Sequence, residues 1–290
     1  MDLTRNFVKA KRPCAEGFRW FLRTHQDGGD YQPLLDALVR DGRVDDACWL
    51  LSQFGPTDAV LAVDAIDADA IVFAGTLQVR GNIAVDSILR AGRSIVAGGG
   101  IRAGQAIVAG EDVCADGNIH SGGKLDVGGD VRAGWGVEVA GALHCGGKLR
   151  AEWHLSSGGP LTIGAGAHVG QDLEAGAAVA CGNSLRTGGA IRAAGSIRVA
   201  HGIDAGTTID CGEHLEAGWG IKAQGAVVAG GAIKVGESLQ SEDEIRAGEG
   251  YGIYAGLVVH VEAWEASAQV RARSRPQRLM SGWWSAACAD

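Results

Sequence analysis

Histidines and acidic residues are the side chains of this sequence that could do acid–base chemistry. Three of its eight histidines, His120, His144 and His168, follow one another at a constant interval. A regular interval can bring imidazoles to equivalent places in a repeated structure, where one could act as the general base of an acyl transfer. The densest acidic group, Glu-Asp-Glu at 242–244, could supply carboxylates for acid–base hydrolysis. Either use depends on the elements that position these side chains.

The seven cysteines could bind a metal ion or form disulfides, and their spacing argues against both uses. Their number is odd and no Cys-x-x-Cys pair occurs, so we expect buried, reduced thiols. The sequence also lacks the phosphate-binding motif GxxxxGK[ST] and the calcium-binding repeat GGxGxDxUx. We therefore expect neither a metal ion nor a cofactor.

An aliphatic residue recurs every six positions from Ile71 to Leu257. Of these 32 positions, only Ala167 and Tyr251 are not Ile, Leu or Val, and no insertion breaks the interval between its two ends. A smaller residue follows two positions later, so the two point to one side of a short strand and the residue between them to the other. Gly, 47 of the 290 residues, comes next and is often doubled. We expect it to supply the positive φ of a sharp corner.

Strands of three residues joined by corners of three cannot bury a core alone. They must stack, which predicts an all-β solenoid, that is, a parallel β-helix. Three hexads make a triangular coil of about 18 residues, and 32 hexads make about 10 to 11 coils. A two-sided coil of about 12 residues is the alternative. We prefer the triangular coil, because Trp135 and Trp153 occupy the same corner position three hexads apart and could then stack.

The candidate acid–base groups do not come together on any one face of the predicted triangular coil. His120, His144 and His168 lie four hexads apart, so each falls on a different face and they cannot form one site. Residues 242–244 are adjacent and cannot all point to the same side of a strand. Solvated surface side chains explain both sets, and a hexapeptide-type transferase site does not assemble.

One set of outward residues stays together on the face that contains Val131. At successive coils it carries Arg132, Arg150, His168, Arg186, Asp204 and Lys222. Trp135 and Trp153 lie at the corner beside this ladder, and Arg and Trp are typical of interface hot spots. The alternative is a ladder neutralised by acidic corner residues. We predict a binding surface formed by Arg132, Trp135, Arg150, Trp153, His168, Arg186 and Lys222.

The two ends differ from the repeat. The apolar spacing in residues 1–58 predicts a small α-helical cap of three helices over the first coil, whose edge would otherwise be open to another chain. After Leu257 the hexad fades, and Trp264, Trp283 and Trp284 are expected as apolar cover. We divide the chain into a helical module (1–58), a parallel β-helix (59–259) and a C-terminal cap or tail (260–290).

Runs of the repeat resemble the Ile-x-Ala-Gly-Gly-x hexads of bactofilins and of polymer-forming β-solenoids of the flagellar assembly protein A type. The resemblance covers residues 71–257, as in IVAGGGIRAG (95–104), KLDVGGDVRAG (124–134) and AIKVGESL (232–239). It implies the solenoid fold and, through bactofilins, end-to-end polymerisation. The helical module and the Trp-rich tail depart from that pattern and argue against polymerisation.

The helical module carries a second resemblance. Cys14, Gly17, Trp20 and Trp49 make it similar to the short helical segment at the start of some bacterial repeat proteins of the toxin-immunity kind. This resemblance implies a protein partner that is a toxin or effector.

Composition restricts the expected partners and cellular location of the protein. The formal charge of −8 argues against nucleic acid as a partner, and no stretch approaches the ~20 apolar residues of a membrane span. The first residues lack the apolar run of a signal peptide, so we expect a cytoplasmic protein with no membrane partner. We expect a non-catalytic protein-binding rod of the immunity or inhibitor type. The alternatives are a bactofilin-like, self-associating scaffold and, after it, a hexapeptide-type transferase.

Overall fold

A computed structural model describes residues 2–24 and 29–287, and a parallel β-solenoid of three stacked sheets forms its main body. Each coil visits the three sheets, here face 1, face 2 and face 3, in that order. Within these residues face 1 has 13 strands, face 2 has 11 and face 3 has 12. Neighbouring strands of one face are three hexads apart through most of the rod, as Arg132 beside Arg150 illustrates. The predicted fold class and coil length are confirmed.

The strands of face 1 are Val60–Val63, Thr76–Val79, Ile95–Ala97, Val113–Ala115, Val131–Ala133, Leu149–Ala151, Ala167–Val169, Leu185–Thr187, Ile203–Ala205, Ile221–Ala223, Leu239–Ser241, Gln269–Ala272 and Trp283–Ala286. Those of face 2 are Ile66–Ala68, Ile83–Val85, Ile101–Ala103, Ile119–Ser121, Val137–Val139, Leu155–Ser157, Leu173–Ala175, Ile191–Ala193, Ile209–Cys211, Val227–Ala229 and Ile245–Arg246. Those of face 3 are Ile71–Phe73, Ile88–Ala91, Ala106–Ala109, Lys124–Val127, Leu143–Cys145, Leu161–Ile163, Val179–Cys181, Ile197–Val199, Leu215–Ala217, Ile233–Val235, Ile253–Tyr254 and Leu279–Ser281.

The stack is longer than the hexad count predicts, with about 13 coils along face 1. It begins before Ile71, where Leu61 pairs with Leu77. Fewer residues separate these two than the regular three hexads, so a hexad count that starts at Ile71 leaves this strand out. It also continues past the hexad at the C-terminal end. Segment 260–287 adds two strands to face 1 and one to face 3, besides a 3₁₀ turn at Val261–Ala263 and a short helix at Trp264–Ser267. Residues 288–290 of the predicted tail lie outside the described residues.

The last two positions of the hexad interval do not point inward. Tyr251 and Leu257 are 45% and 53% exposed. The inward residue of face 3 that pairs with Ile233 is Ile253, which lies further along the chain than three hexads. Extra residues in the corners after Ile245 shift the register, so the last two hexad positions predicted as inward point to solvent.

The core repeats two kinds of inward position. The large position carries Ile, Leu or Val in almost every coil, and these side chains form one continuous buried cluster along the rod. The small position carries mostly Ala, Val or Cys, and four coils place a hydroxyl there instead. Ser121 and Ser157, for example, donate to the carbonyls of Lys124 and Gly159, each within three residues along the chain, at 2.8 and 2.9 Å. The small position therefore tolerates a polar atom whose hydrogen bond is met locally.

Corner glycines have a different role from the one expected. The described glycines with positive φ are Gly42, Gly55, Gly250, Gly256 and Gly282, and none lies in the regular repeat between Ile71 and Ile245. A repeat glycine instead lies against the backbone of the preceding coil. A Cβ built on Gly158 would stand 2.1 Å from the carbonyl oxygen of Ala140. Close stacking of the coils, and not a left-handed backbone, requires these glycines.

The N-terminal region is helical, with four helices within residues 2–24 and 29–58 where three were expected: α1 (Arg5–Ala10), α2 (Ala15–Thr24), α3 (Tyr31–Arg40) and α4 (Val44–Phe54). The additional helix, α1, has six residues, too few to repeat an apolar stripe in the sequence. A short antiparallel pair, Asp2–Leu3 with Gly29–Asp30, precedes α3.

The helices pack against the first strand of face 3. Val72 and Ala74 are buried in the same apolar cluster as Leu34 and Leu35 of α3. The side chain of Gln32 donates to the carbonyl of Val72 at 3.1 Å and accepts the N–H of Ala74 at 2.8 Å. The helical region thus covers the free edge of face 3.

Candidate binding surface

The register of face 1 builds the outward ladder. Arg132 lies beside Arg150, Arg150 beside His168, and His168 beside Arg186. Asp204 and Lys222 follow at the next two coils. Neighbouring positions in such a stack are about 4.8 Å apart. The structure therefore brings the predicted Arg, His and Lys residues into one line, which Asp204 interrupts.

Acidic residues neutralise part of this ladder. Arg150 Nε lies 2.6 Å from Glu152 Oε1, and Arg186 Nε lies 3.2 Å from Asp204 Oδ2. The Arg150 guanidinium lowers the pKa of the Glu152 carboxyl. Among the described residues, Arg132 and Lys222 form no ion pair. Some cations of the ladder are therefore paired with carboxylates, and others form no ion pair among the described residues.

Trp135 and Trp153 stack at the corner between face 1 and face 2. Their ring centroids are 5.9 Å apart and their planes differ by 17°. They are 56% and 55% exposed. Two indoles exposed to this extent beside Arg132 and Arg150 form an apolar ridge next to cations.

A second aromatic stack borders the same ladder on its other side, which the sequence reading missed. His201 and Trp219 share a position in the corner between face 3 and face 1 and stack with centroids 4.1 Å apart. The signal was their separation of three hexads, the same that marks Trp135 and Trp153.

An open groove of about 660 Å³, here called the basic groove, runs along the ladder on the side of the corner between face 3 and face 1 and reaches the second stack at His201. Its charged and imidazole-bearing lining residues are Lys148, Arg150, His168, Arg186, His201 and Asp204.

Two histidines and a carboxylate meet on face 2, beside the Trp corner. His120 Nδ1 lies 3.3 Å from Glu138 Oε2, and His154 Nε2 lies 2.9 Å from Glu138 Oε1. The hydrogen bond from His154, and then that from His120, lowers the pKa of Glu138. Sorting histidines by face alone missed this contact, because His154 belongs to the corner. Gly136 makes room for it, since a Cβ there would lie 2.6 Å from the imidazole.

The remaining candidate groups lie apart from this surface. Burial raises the pKa of the inward thiols Cys145 and Cys211 to about 11, so both stay protonated at neutral pH. Within residues 2–24 and 29–287, no group of three His, Cys, Asp or Glu side chains could hold a metal ion. In the same part of the chain, no helix has the length and hydrophobicity of a membrane span.

Comparison with known proteins bears on the helical region. Residues 1–54 match the family model of the YdhT N-terminal domain, and the match ends with α4. It covers the helices and none of the solenoid strands. No curated protein and no solved structure matches the chain.

Proposed function

We propose that the protein is a non-catalytic binding rod whose partner docks on face 1 and on the Trp135–Trp153 corner. The observation that carries the proposal is the stacked, half-exposed Trp pair beside Arg132, whose guanidinium has no ion pair among the described residues. Burying two indoles supplies binding free energy, and a guanidinium selects a partner with carboxylates at the matching place. The rigid stack of coils holds these side chains in position before the partner arrives, which lowers the entropic cost of binding.

A bacterial toxin or effector is the partner class that we propose for this surface. The resemblance of Cys14, Gly17, Trp20 and Trp49 to the helical segment of toxin-immunity repeat proteins supports that class. An immunity protein must hold its toxin tightly, and a wide, rigid face with aromatic anchors suits that task. We propose a cytoplasmic site of action.

The test uses a toxin encoded beside the gene. It compares the affinity of wild type for this toxin with the affinity of the double variant Arg132→Glu/Trp153→Ala. Hot-spot residues typically contribute about 2 kcal/mol each, so we expect affinity to fall by at least about a hundredfold. Arg102→Glu, a charge reversal at an exposed outward position of face 2, is the matched control and should bind as wild type does. Equal affinity of the double variant and wild type would place the interface elsewhere.

A self-associating scaffold is the second candidate. Val60–Val63 and Trp283–Ala286 are the first and last strands of face 1, and in the described part of the chain neither has a strand on its outer side. Unpaired strand edges can pair with another chain. Electron microscopy of the purified protein at rising concentration tests this. Filaments would favour the scaffold, and a concentration-independent monomer would favour the binding rod.

A further inference from the structure

We propose that the basic groove binds an extended, acidic segment of a protein partner. This inference rests on the proposed function, because it names the chemistry of the partner that docks beside the Trp135–Trp153 corner. The groove lies on the opposite side of the face 1 ladder from that corner, so one partner could occupy both.

The length of the groove suits an extended segment. Its lining runs from the coil of Lys148 and Arg150 to the coil of Asp204. Those four coils span three steps of about 4.8 Å, or about 14 Å. A strand rises about 3.3 Å per residue, so about four extended residues fit along the groove. A helix of that length would complete fewer than three turns.

The charge of the groove is opposite to that of the whole protein. Lys148, Arg150 and Arg186 line it, and Asp204 is the one carboxylate among its described lining residues. With neutral histidines the lining residues carry three cations and one anion, and Glu152 beside Arg150 adds a second anion, which leaves +1 in a chain whose formal charge is −8. His168 and His201 add donors, and positive charge when protonated.

The existing ion pairs leave donors available. Arg150 and Arg186 each use the Nε edge for the contact with Glu152 or Asp204. Their terminal nitrogens are not part of those ion pairs. In the described residues the ammonium of Lys148 forms no ion pair. A row of carboxylates on an extended segment would meet these groups at successive coils.

The surroundings favour an acidic peptide over a nucleic acid. A nucleic acid strand carries a phosphate about every 3.4 Å and continues past so short a groove. It would then run over the surface of a protein whose net charge is −8. A short acidic segment ends where the cations end.

The test measures binding of fluorescein-labelled tetraglutamate to the full-length protein by fluorescence anisotropy, with a neutral Ser/Gly tetrapeptide as the comparison. We expect tetraglutamate to bind at least about tenfold more tightly than the neutral peptide, and its binding to weaken as salt is added. Lys148→Glu should weaken it a further tenfold or more. Arg102→Glu makes the same change of net charge at an exposed position of face 2, outside the groove, and should change affinity less than twofold.

Three results would overturn the proposal: equal binding of the two peptides, an equal loss in Arg102→Glu and Lys148→Glu, or tighter binding of a single-stranded oligonucleotide of the same charge. Unfolding midpoints within about 2 °C of wild type confirm that the variants are folded.

Trp153→Ala separates the two proposals. It should leave tetraglutamate binding unchanged while it weakens binding of the protein partner. Suppose that Trp153→Ala weakens binding of the protein partner, and that Lys148→Glu changes the affinity for neither the acidic peptide nor the partner. The groove proposal then fails and the proposed function stands.

Discussion

The imidazole of His201 lies flat against the indole of Trp219, with ring centroids 4.1 Å apart and planes within 8°. The two residues occupy the same corner position in successive coils, which brings their rings within stacking distance. Trp219 is nevertheless half exposed. Through His201, this pair forms one end of the basic groove.

This stack should contribute measurable coupling to stability. In a double-mutant cycle of His201→Ala and Trp219→Ala, we expect a coupling free energy of about 0.5–1.5 kcal/mol from urea denaturation. The matched cycle of His201→Ala and Trp135→Ala pairs residues of different corners and should be additive within about 0.5 kcal/mol. Additivity in both cycles would show that the rings do not stack in solution.

An inward charge should unfold the coil that carries it. Ile203 is buried at the large inward position of face 1. Ile203→Asp removes about 2 kcal/mol of burial and places a carboxylate without a partner in an apolar interior, which costs several kcal/mol more. We expect a loss of at least about 4 kcal/mol in the free energy of unfolding. Gln240→Asp, outward on the same face, should cost less than about 1 kcal/mol. A melting temperature for Ile203→Asp within about 2 °C of wild type would contradict the inward register.

Corner glycines should differ in their tolerance of a methyl group. The Cβ that Gly158→Ala introduces would meet the carbonyl oxygen of Ala140 at 2.1 Å, so the coil must shift, at a cost of about 1–3 kcal/mol or more. At Gly202 the nearest atom is the carbonyl oxygen of Gly220 at 3.2 Å, and a small adjustment suffices. We therefore expect Gly158→Ala to lower the melting temperature clearly more than Gly202→Ala does. Equal melting temperatures would show that the coils are stacked less closely than described.

Glu216 should make stability depend on pH. Burial alone would raise its pKa, but hydrogen bonds from Lys234 and Arg198 lower it below its usual value. The two contacts measure 3.2 and 2.9 Å. Because the folded pKa is lowered, this stabilisation is present above the unfolded pKa and is lost as pH falls through the folded pKa.

Glu216→Gln should therefore reduce the free energy of unfolding by about 0.5–1 kcal/mol at pH 7, and the difference from wild type should vanish near pH 3. Asp210→Asn removes an outward carboxylate with no ion pair among the described residues, and we expect it to cost little at pH 7. A Glu216→Gln deficit that persists unchanged at pH 3 would mean that packing, and not charge, explains it.

The regular interval made most of the rod and the ladder predictable. Once three hexads separate neighbouring strands, Arg132 must lie beside Arg150, and Trp135 beside Trp153. Contacts between residues that are not separated by a whole number of hexads could not be predicted in this way. His154 reaches Glu138 from a corner position that is not a whole number of hexads away. The role of Gly158 depends on a carbonyl that only the stacked coils place beside it.

The C-terminal end departed from the prediction because the register changes there. Val270 pairs with Leu239 at a separation much longer than the regular three hexads. Face 2 ends at Ile245–Arg246, while faces 1 and 3 continue. The regular interval could not predict this, because it follows from the additional chain that precedes Val270.

The side chain of Gln32 should hold the helical region to the first strand of face 3. It satisfies one carbonyl and one N–H of that strand, at Val72 and Ala74. Gln32→Leu keeps an apolar stem and leaves both backbone groups without their partner, at a cost of about 1–3 kcal/mol for each that stays buried. Hydrogen exchange by mass spectrometry should show faster exchange at Ala74 and in α3, with no change at the Ile203–Ala205 strand.

Gln78→Leu is the control for this prediction, because Gln78 is exposed on face 1 and the change should leave exchange at Ala74 as it is in wild type. If Gln32→Leu also leaves exchange at Ala74 unchanged, the apolar contacts of Val72 with Leu34 and Leu35 hold the helices without help from the amide. In that case the edge of face 3 would be protected by helix packing alone, and a polar group at position 32 would not be needed for that protection.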